Sequence, residues 1–315
     1  MASLASTPAL VAPMAFKNHP ETKIPKMVYG TAWKKDRSTD LVYQAIKSGF
    51  RAIDTAAQPR HYNEKGVAEG IAKAISEGIL TREDLYIQTK FTPPSGQDPN
   101  NLPYDLSHPI PQQIQTSIAS SLSNFTFPGQ EEPYIDCLVL HSPYRNIEDT
   151  LLAWRTFEPY VPSKIRSLGI SNTTLPILQS LVSSTNIPPS VCQNRFYPDT
   201  RYEVPLRSCC REQGIIFQSF WTLTGNPGLV KSKPVMEMAE RLRGKREVDG
   251  DDRALALYSL VLGLEGVSVL NGTTNQERMM RDLLTLEAVG ELVQGEWKEL
   301  WDGWLRDFKV VIGEK

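Results

Sequence analysis

Ile135-Asp136-Cys137-Leu138-Val139-Leu140-His141 is a short apolar run closed by a polar residue, and the chain repeats the arrangement. Phe50-Arg51-Ala52-Ile53 ends in Asp54, and Leu85-Tyr86-Ile87-Gln88-Thr89 ends in Lys90, with Tyr62 shortly after Asp54. Such runs read as strands of a parallel sheet. Their carboxyl ends converge on one face, where α/β barrels carry out their chemistry. Asp54, Tyr62, Lys90 and His141 are therefore the candidate active site.

Outward from these strands, apolar runs alternate with amphipathic segments along nearly the whole chain, the mark of repeated βα units. Strands are predicted at residues 27–33, 52–54, 85–90, 135–141, 166–171, 191–194, 215–219 and 266–270. Helices are predicted at 39–48, 63–77, 110–124, 147–157, 175–184, 204–213, 235–243 and 253–264. In the first helix Leu41, Val42, Ala45 and Ile46 form one buried stripe. Eight strands with intervening helices predict a single-domain (β/α)8 TIM barrel over residues 26–315. Residues 1–25, rich in Ala, Ser and Pro near the start, are expected to be a flexible arm without the features of a secretory signal.

Composition agrees with one soluble domain. The 315 residues are 40% hydrophobic and 9% aromatic, with a mean hydropathy of -0.31. A net charge of -2 and a pI near 6.2 give no broad basic field, so nucleic acid is not an expected partner. No apolar run reaches the ~20 residues that a membrane span needs. Cys137, Cys192, Cys209 and Cys210 show no metal-ligand spacing, and buried inert thiols point to a reducing, cytoplasmic setting. No metal is expected and nothing demands association, so the protein is expected to be a monomer.

Two stretches interrupt the rhythm. The proline-rich run 92–108 reads as a long loop on the same face as the four polar residues, placed to frame a substrate. The charged run 244–252 reads as a solvated connector. The tail holds Trp297, Trp301 and Trp304 at helical spacing, a stripe that more often packs than lines a pocket.

The chain resembles the aldo-keto reductase family. The resemblance is carried by Gly49-Phe50-Arg51-Ala52-Ile53-Asp54-Thr55-Ala56, Tyr62-Asn63-Glu64, Ile87-Gln88-Thr89-Lys90, Asp136-Cys137-Leu138-Val139-Leu140-His141-Ser142-Pro143 and Gly169-Ile170-Ser171-Asn172. It implies reduction of an aldehyde or ketone to an alcohol, with hydride from a nicotinamide cofactor and Tyr62 as proton donor. A phenol of ordinary pKa near 10 is a weak acid at neutral pH, so its neighbours are expected to lower that value. Lys90 fits the role of a cation beside the phenol, Asp54 the role of holding that lysine, and His141 that of a hydrogen-bond donor to the carbonyl oxygen.

The chain departs from the family pattern around the acid. The tyrosine ordinarily follows the aspartate by five residues, a place Pro59 takes here, whereas Tyr62 is eight residues on. His61 stands at the aligned distance from Asn63-Glu64 and is the alternative acid. The altered loop also leaves room for a different reading, a nucleotide-binding barrel that serves as a regulatory or scaffold subunit. A hydrolase or lyase lacks a second carboxylate or a nucleophile–base pair at these strand ends.

No GxGxxG follows the first strand, which argues against a Rossmann fold. The resemblance implies that Ser171, Asn172 and Gln193 bind the nicotinamide carboxamide and that Phe220 stacks on its ring; Trp33 and the loop of Trp221 are expected beside the pocket, with Trp221 either lining it or only packing. It further implies that the segment after the last strand binds the phosphate on the adenosine ribose. There Gly272 takes the place of a lysine common in the family, while Arg278 remains and Thr273 and Thr274 can supply hydroxyl donors. NADPH is the expected cofactor, with NADH possible; the expected partner is a small carbonyl compound.

Overall fold

The computed structural model describes residues 10–18, 20–243 and 252–314. The chain enters through an antiparallel hairpin, β1 (Met14–Ala15) against β2 (Lys23–Ile24). Eight parallel strands then close a barrel: β3 (Met27–Gly30), β4 (Ala52–Asp54), β5 (Tyr86–Phe91), β6 (Cys137–Leu140), β7 (Leu168–Ser171), β8 (Val191–Arg195), β9 (Ile216–Phe220) and β10 (Val267–Asn271). Each strand pairs with its neighbours in sequence, and β10 returns to β3. This is the outcome of repeated short crossovers of one hand.

The helices are α1 (Ser38–Lys47), α2 (Glu64–Ser76), α3 (Ile110–Asn124), α4 (Ile147–Phe157), α5 (Leu175–Ser184), α6 (Val204–Gln213), α7 (Lys233–Arg243), α8 (Asp252–Leu262), α9 (Gln276–Gln294) and α10 (Lys298–Val311). Leu41, Val42, Ala45 and Ile46 of α1 are all buried, as the stripe predicts. None of the helices among the described residues is long and apolar enough to cross a membrane.

Strand ends differ from the sequence expectation where the backbone turns. β3 stops at Gly30 and not at residue 33, because Trp33 adopts a left-handed φ of 63°. β6 begins at Cys137, with Ile135 keeping only an isolated bridge to Ile165. Asp136 between them pins two strands and a loop: it accepts from Arg82 at 2.7 Å, from Arg166 at 3.0 Å and from the Ile87 amide at 2.9 Å.

The arm expected over residues 1–25 is docked where it is described. Phe16 and Ile24 are buried with Val28, Ala52, Tyr86, Cys137, Val139, Val191 and Ile216, which together fill one end of the barrel. The inward-facing strand residues leave an apolar opening there, and the hairpin's two large side chains close it. Residues 1–9 lie outside the described residues, as do 244–251 of the charged run. At the other terminus Trp297 and Trp304 are buried against each other at 5.9 Å between rings, so this stripe packs.

Candidate active site

The carboxyl ends of the strands gather the predicted residues at the mouth opposite the hairpin. Asp54 is the last residue of β4, Lys90 lies one residue before the end of β5, and His141 directly follows β6. Lys90 Nζ donates to Asp54 Oδ1 at 2.7 Å, to Asp54 Oδ2 at 2.6 Å and to the Thr55 carbonyl at 2.8 Å. Both side chains are buried. Burial works against the Lys90 ammonium, but the facing Asp54 carboxylate, with help from Tyr62, raises its pKa above the usual lysine value.

The lengthened loop after Asp54 turns on itself before α2: the amides of His61 and Tyr62 both donate to the Gln58 carbonyl, at 3.2 Å and 3.0 Å. Asn63 then caps α2 by accepting from the Gly66 amide at 2.9 Å. This turn separates the two candidate acids. His61 lies on Trp33, 3.9 Å between ring centroids. Tyr62 meets His141 edge-on at 5.8 Å, and Lys90 Nζ stands 5.0 Å from its ring centroid. The extra loop residues are absorbed in the turn, and the phenol still reaches the ammonium.

The expectation that its neighbours lower the phenol's pKa is corrected by burial. Withdrawal from water raises the Tyr62 pKa, and the Lys90 charge offsets this only in part, so the group stays above its ordinary value and remains protonated at neutral pH. His141 is pushed well below the usual histidine range by burial, then by the charges of Lys90 and His61, and is neutral. Its Nδ1 lies 2.6 Å from the Thr92 hydroxyl. With that hydroxyl donating, the ring's remaining proton sits on Nε2.

Several contributions could not be read from the sequence motifs, even where the residue itself, such as Gln88, Glu64 or Gln193, stood in one or was a cofactor-site candidate. Gln88, Gln193 and Gln218 form an amide layer below Asp54: Gln88 and Gln193 donate to Asp54 Oδ1 at 2.6 Å and 3.0 Å, and both donate to Gln218 Oε1 at 2.9 Å. Amides inside otherwise apolar strands were the available signal. Glu64 is buried, accepting from Thr89, from Ser121 at 2.9 Å and from Asn124 at 3.0 Å. It ties the first residue of α2 to β5 and α3, which fixes the chain just beyond Tyr62.

A single cleft of about 1670 Å³ contains Asp54, His61, Tyr62, His141, Ser171, Asn172, Gln193, Phe220, Thr273 and Arg278 in its lining. Ser171 and Gln193 are paired in register across β7 and β8. Gln193 commits its nitrogen to Asp54 and Gln218, leaving Oε1 without a donor among the described residues. Asn172, with a left-handed φ of 51°, donates to the His141 carbonyl at 2.8 Å and accepts from Arg195 at 3.1 Å. Arg195 in turn covers Phe220 and Trp221, 5.2 Å and 4.6 Å from their ring centroids. At the far end Thr273 and Thr274 precede α9, whose start Asn275 caps by accepting from the Arg278 amide at 2.9 Å.

The proline-rich loop does not frame the cleft. Gln97 donates to the Ala57 carbonyl at 3.0 Å, Gln58 to the Gly96 carbonyl at 2.6 Å, and Tyr104 to the Thr92 carbonyl at 2.6 Å. The loop thus buttresses the turn before Tyr62 and holds Thr92 beneath His141.

Fold and site together define a (β/α)8 barrel with a carboxylate, an ammonium, a phenol and a neutral imidazole at its mouth. Residues 26–283 match the model of the Aldo/keto reductase family, and the chain belongs to that family. It is 28% identical to the NADPH-dependent D-xylose reductase of Meyerozyma guilliermondii, across 88% of this chain and 90% of the relative. It is 30% identical to the NAD(P)H-dependent D-xylose reductase I,II of Candida tropicalis, over 56% of each chain. Among solved structures, an aldo-keto reductase of Bombyx mori in complex with NADP superposes with a TM-score of 0.68 at 22% identity, covering 89% of this chain and 92% of that one. This last likeness concerns the fold.

Proposed function

We propose that the protein is an NADPH-dependent reductase of aldehydes or ketones in which Tyr62 gives its proton to the carbonyl oxygen. The observation that carries this reading is the approach of Tyr62 to Lys90 and His141 inside the cleft, despite the longer loop. The same approach removes the motive for a non-catalytic scaffold, and His61, turned onto Trp33, is the weaker acid candidate.

The cleft residues fit a nicotinamide dinucleotide. Gln193 Oε1 lacks a donor and Ser171 contributes a hydroxyl, a pairing suited to a carboxamide, while Phe220 presents a ring face. Thr273 and Arg278 lie toward the other end, suited to a phosphate. When bound, the cofactor supplies the hydride for the carbonyl carbon.

The chain's own residues handle the oxygen. Neutral His141, held by Thr92, donates from Nε2 and orients the carbonyl. Tyr62 needs no acidity near neutral pH, since an alkoxide is a base comparable with hydroxide and far stronger than a phenolate. Lys90 stabilises the phenolate left behind, and Asp54 keeps Lys90 in place. Reprotonation from solvent restores the phenol.

We assign the protein a small-molecule carbonyl substrate, a monomeric state and a cytoplasmic location. The pI near 6.2 and the four free cysteines, three of them buried, support this setting. The test is NADPH oxidation across a panel of aldehydes and ketones. Turnover is expected, and Tyr62→Phe is expected to lower kcat by about 10²–10⁴-fold with cofactor affinity unchanged. His61→Ala should stay within a few-fold. Full activity in Tyr62→Phe overturns the assignment.

A further inference from the structure

Arg195, the last residue of β8, is a cation in the cleft with which no carboxylate pairs among the described residues. Only its Nη1 finds an acceptor among them, Asn172 Oδ1 at 3.1 Å, and the rest of the guanidinium fork is uncommitted. The side chain is nevertheless held in place. Its guanidinium carbon lies 5.2 Å from the Phe220 ring centroid and 4.6 Å from that of Trp221, and Tyr197 meets Trp221 edge-on at 6.2 Å. A fork fixed in this way loses little freedom when an anion arrives, and its planar edge matches a carboxylate.

The position of Arg195 indicates which anion. Side chains alternate along a strand, so Arg195 faces the cleft as Gln193 does, one step nearer the rim. Asn172, which accepts from Arg195, donates to the His141 carbonyl at 2.8 Å. Two hydrogen bonds thus link the guanidinium to the residue that orients the substrate's oxygen. The other cations of the lining cluster about Gly272 and α9: Lys34 donates to the Gly272 carbonyl, and Arg278 and Arg281 are on α9. Neither the loop 92–108 nor residues 295–314 contribute to the cleft lining. Two of its indoles are left facing outward, Trp33 at 65% and Trp221 at 50% exposure, surfaces on which a planar ring can lie.

We infer that Arg195 is a specificity residue that binds a carboxylate carried by the substrate, and that the preferred carbonyl compounds are oxo acids with an aromatic ring. The inference rests on the cleft being a carbonyl reductase site. The cofactor's diphosphate is the other anion a dinucleotide cleft receives. It is separable, because it stays the same whichever substrate is offered.

The experiment compares phenylglyoxylate with its methyl ester, which keeps the ketone and the ring and removes the charge, in the wild-type protein, Arg195→Gln, Arg195→Met and Arg195→Lys. The ratio of kcat/KM, acid over ester, is expected to fall about tenfold to hundredfold in the two neutral variants, the loss of one charge-assisted contact. Arg195→Lys should recover part of it, since it restores the charge without the planar fork. An unchanged ratio would overturn the inference, and a raised KM for NADPH shared equally by acid and ester would place the guanidinium on the diphosphate and overturn it too. Calorimetry of acid and ester on the protein with NADP⁺, which has no hydride to give, reads the same preference without turnover. If NADPH oxidation fails with every compound while that binding preference and its loss in Arg195→Gln remain, the reductase reading falls and the Arg195 contact stands. Two neutral variants guard against one that fails to fold.

Discussion

At the scale of single residues, burial decides more than proximity. His141 shares its surroundings with a lysine, and both that charge and withdrawal from water oppose its protonation. In the unfolded chain the same imidazole titrates near pH 6.5. Its folded pKa is lower, so its contribution to stability is complete above about pH 6.5 and is lost as pH falls from there toward the folded value. Urea unfolding of the wild-type protein and of His141→Gln at pH 7 and pH 5 should show a smaller acid loss in the variant; an identical loss would mean that His141 is not held neutral. Asp54, Lys90 and His141 were legible because each closes an apolar run, and the sheet geometry does the rest. Thr92, Glu64 and Gln218 were not, because their roles depend on partners far away in sequence, as with Gln88 and Gln218 at a separation of 130 residues. Nor could the motif reveal that burial would outweigh Lys90 at the Tyr62 phenol.

At the scale of elements, long periodic segments were readable and short ones were not. The helix stripe of α1 needs ten residues to declare itself, whereas β1 and β2 have two residues each and show no period. Their importance comes from what they cover. Phe16→Ala removes a fully buried ring from the barrel end and is expected to cost roughly 3–5 kcal/mol of unfolding free energy. The active residues lie at the opposite mouth, so kcat should remain within about twofold at temperatures where the variant is folded. A large kcat loss in folded Phe16→Ala would contradict this separation. The loop 92–108 shows the converse limit: its position after β5 was readable, but its contacts with Ala57 and Gln58, which make it a buttress, depend on the longer turn before Tyr62.

At the scale of the whole molecule, the cleft draws on β3, β4, β7, β8, β9, β10, α7, α8 and α9 and on His141 just after β6, so a ligand filling it crosslinks much of the fold. A ligand present at 100 times its Kd adds about 2.7 kcal/mol to the folded state. For a chain of this length that corresponds to a rise in Tm of about 4 °C. Thermal scans with NADPH should show this rise, with a smaller one for NADH at the same concentration; no shift with NADPH would mean that the barrel mouth does not hold the cofactor.

The stoppered end of the barrel has one more consequence. Among the described residues, Phe16 and Ile24 leave no through-passage, so the molecule is a cup and not a pipe. Whatever enters at the rim must back out by the same doorway, and each departing guest delays the arrival of the next.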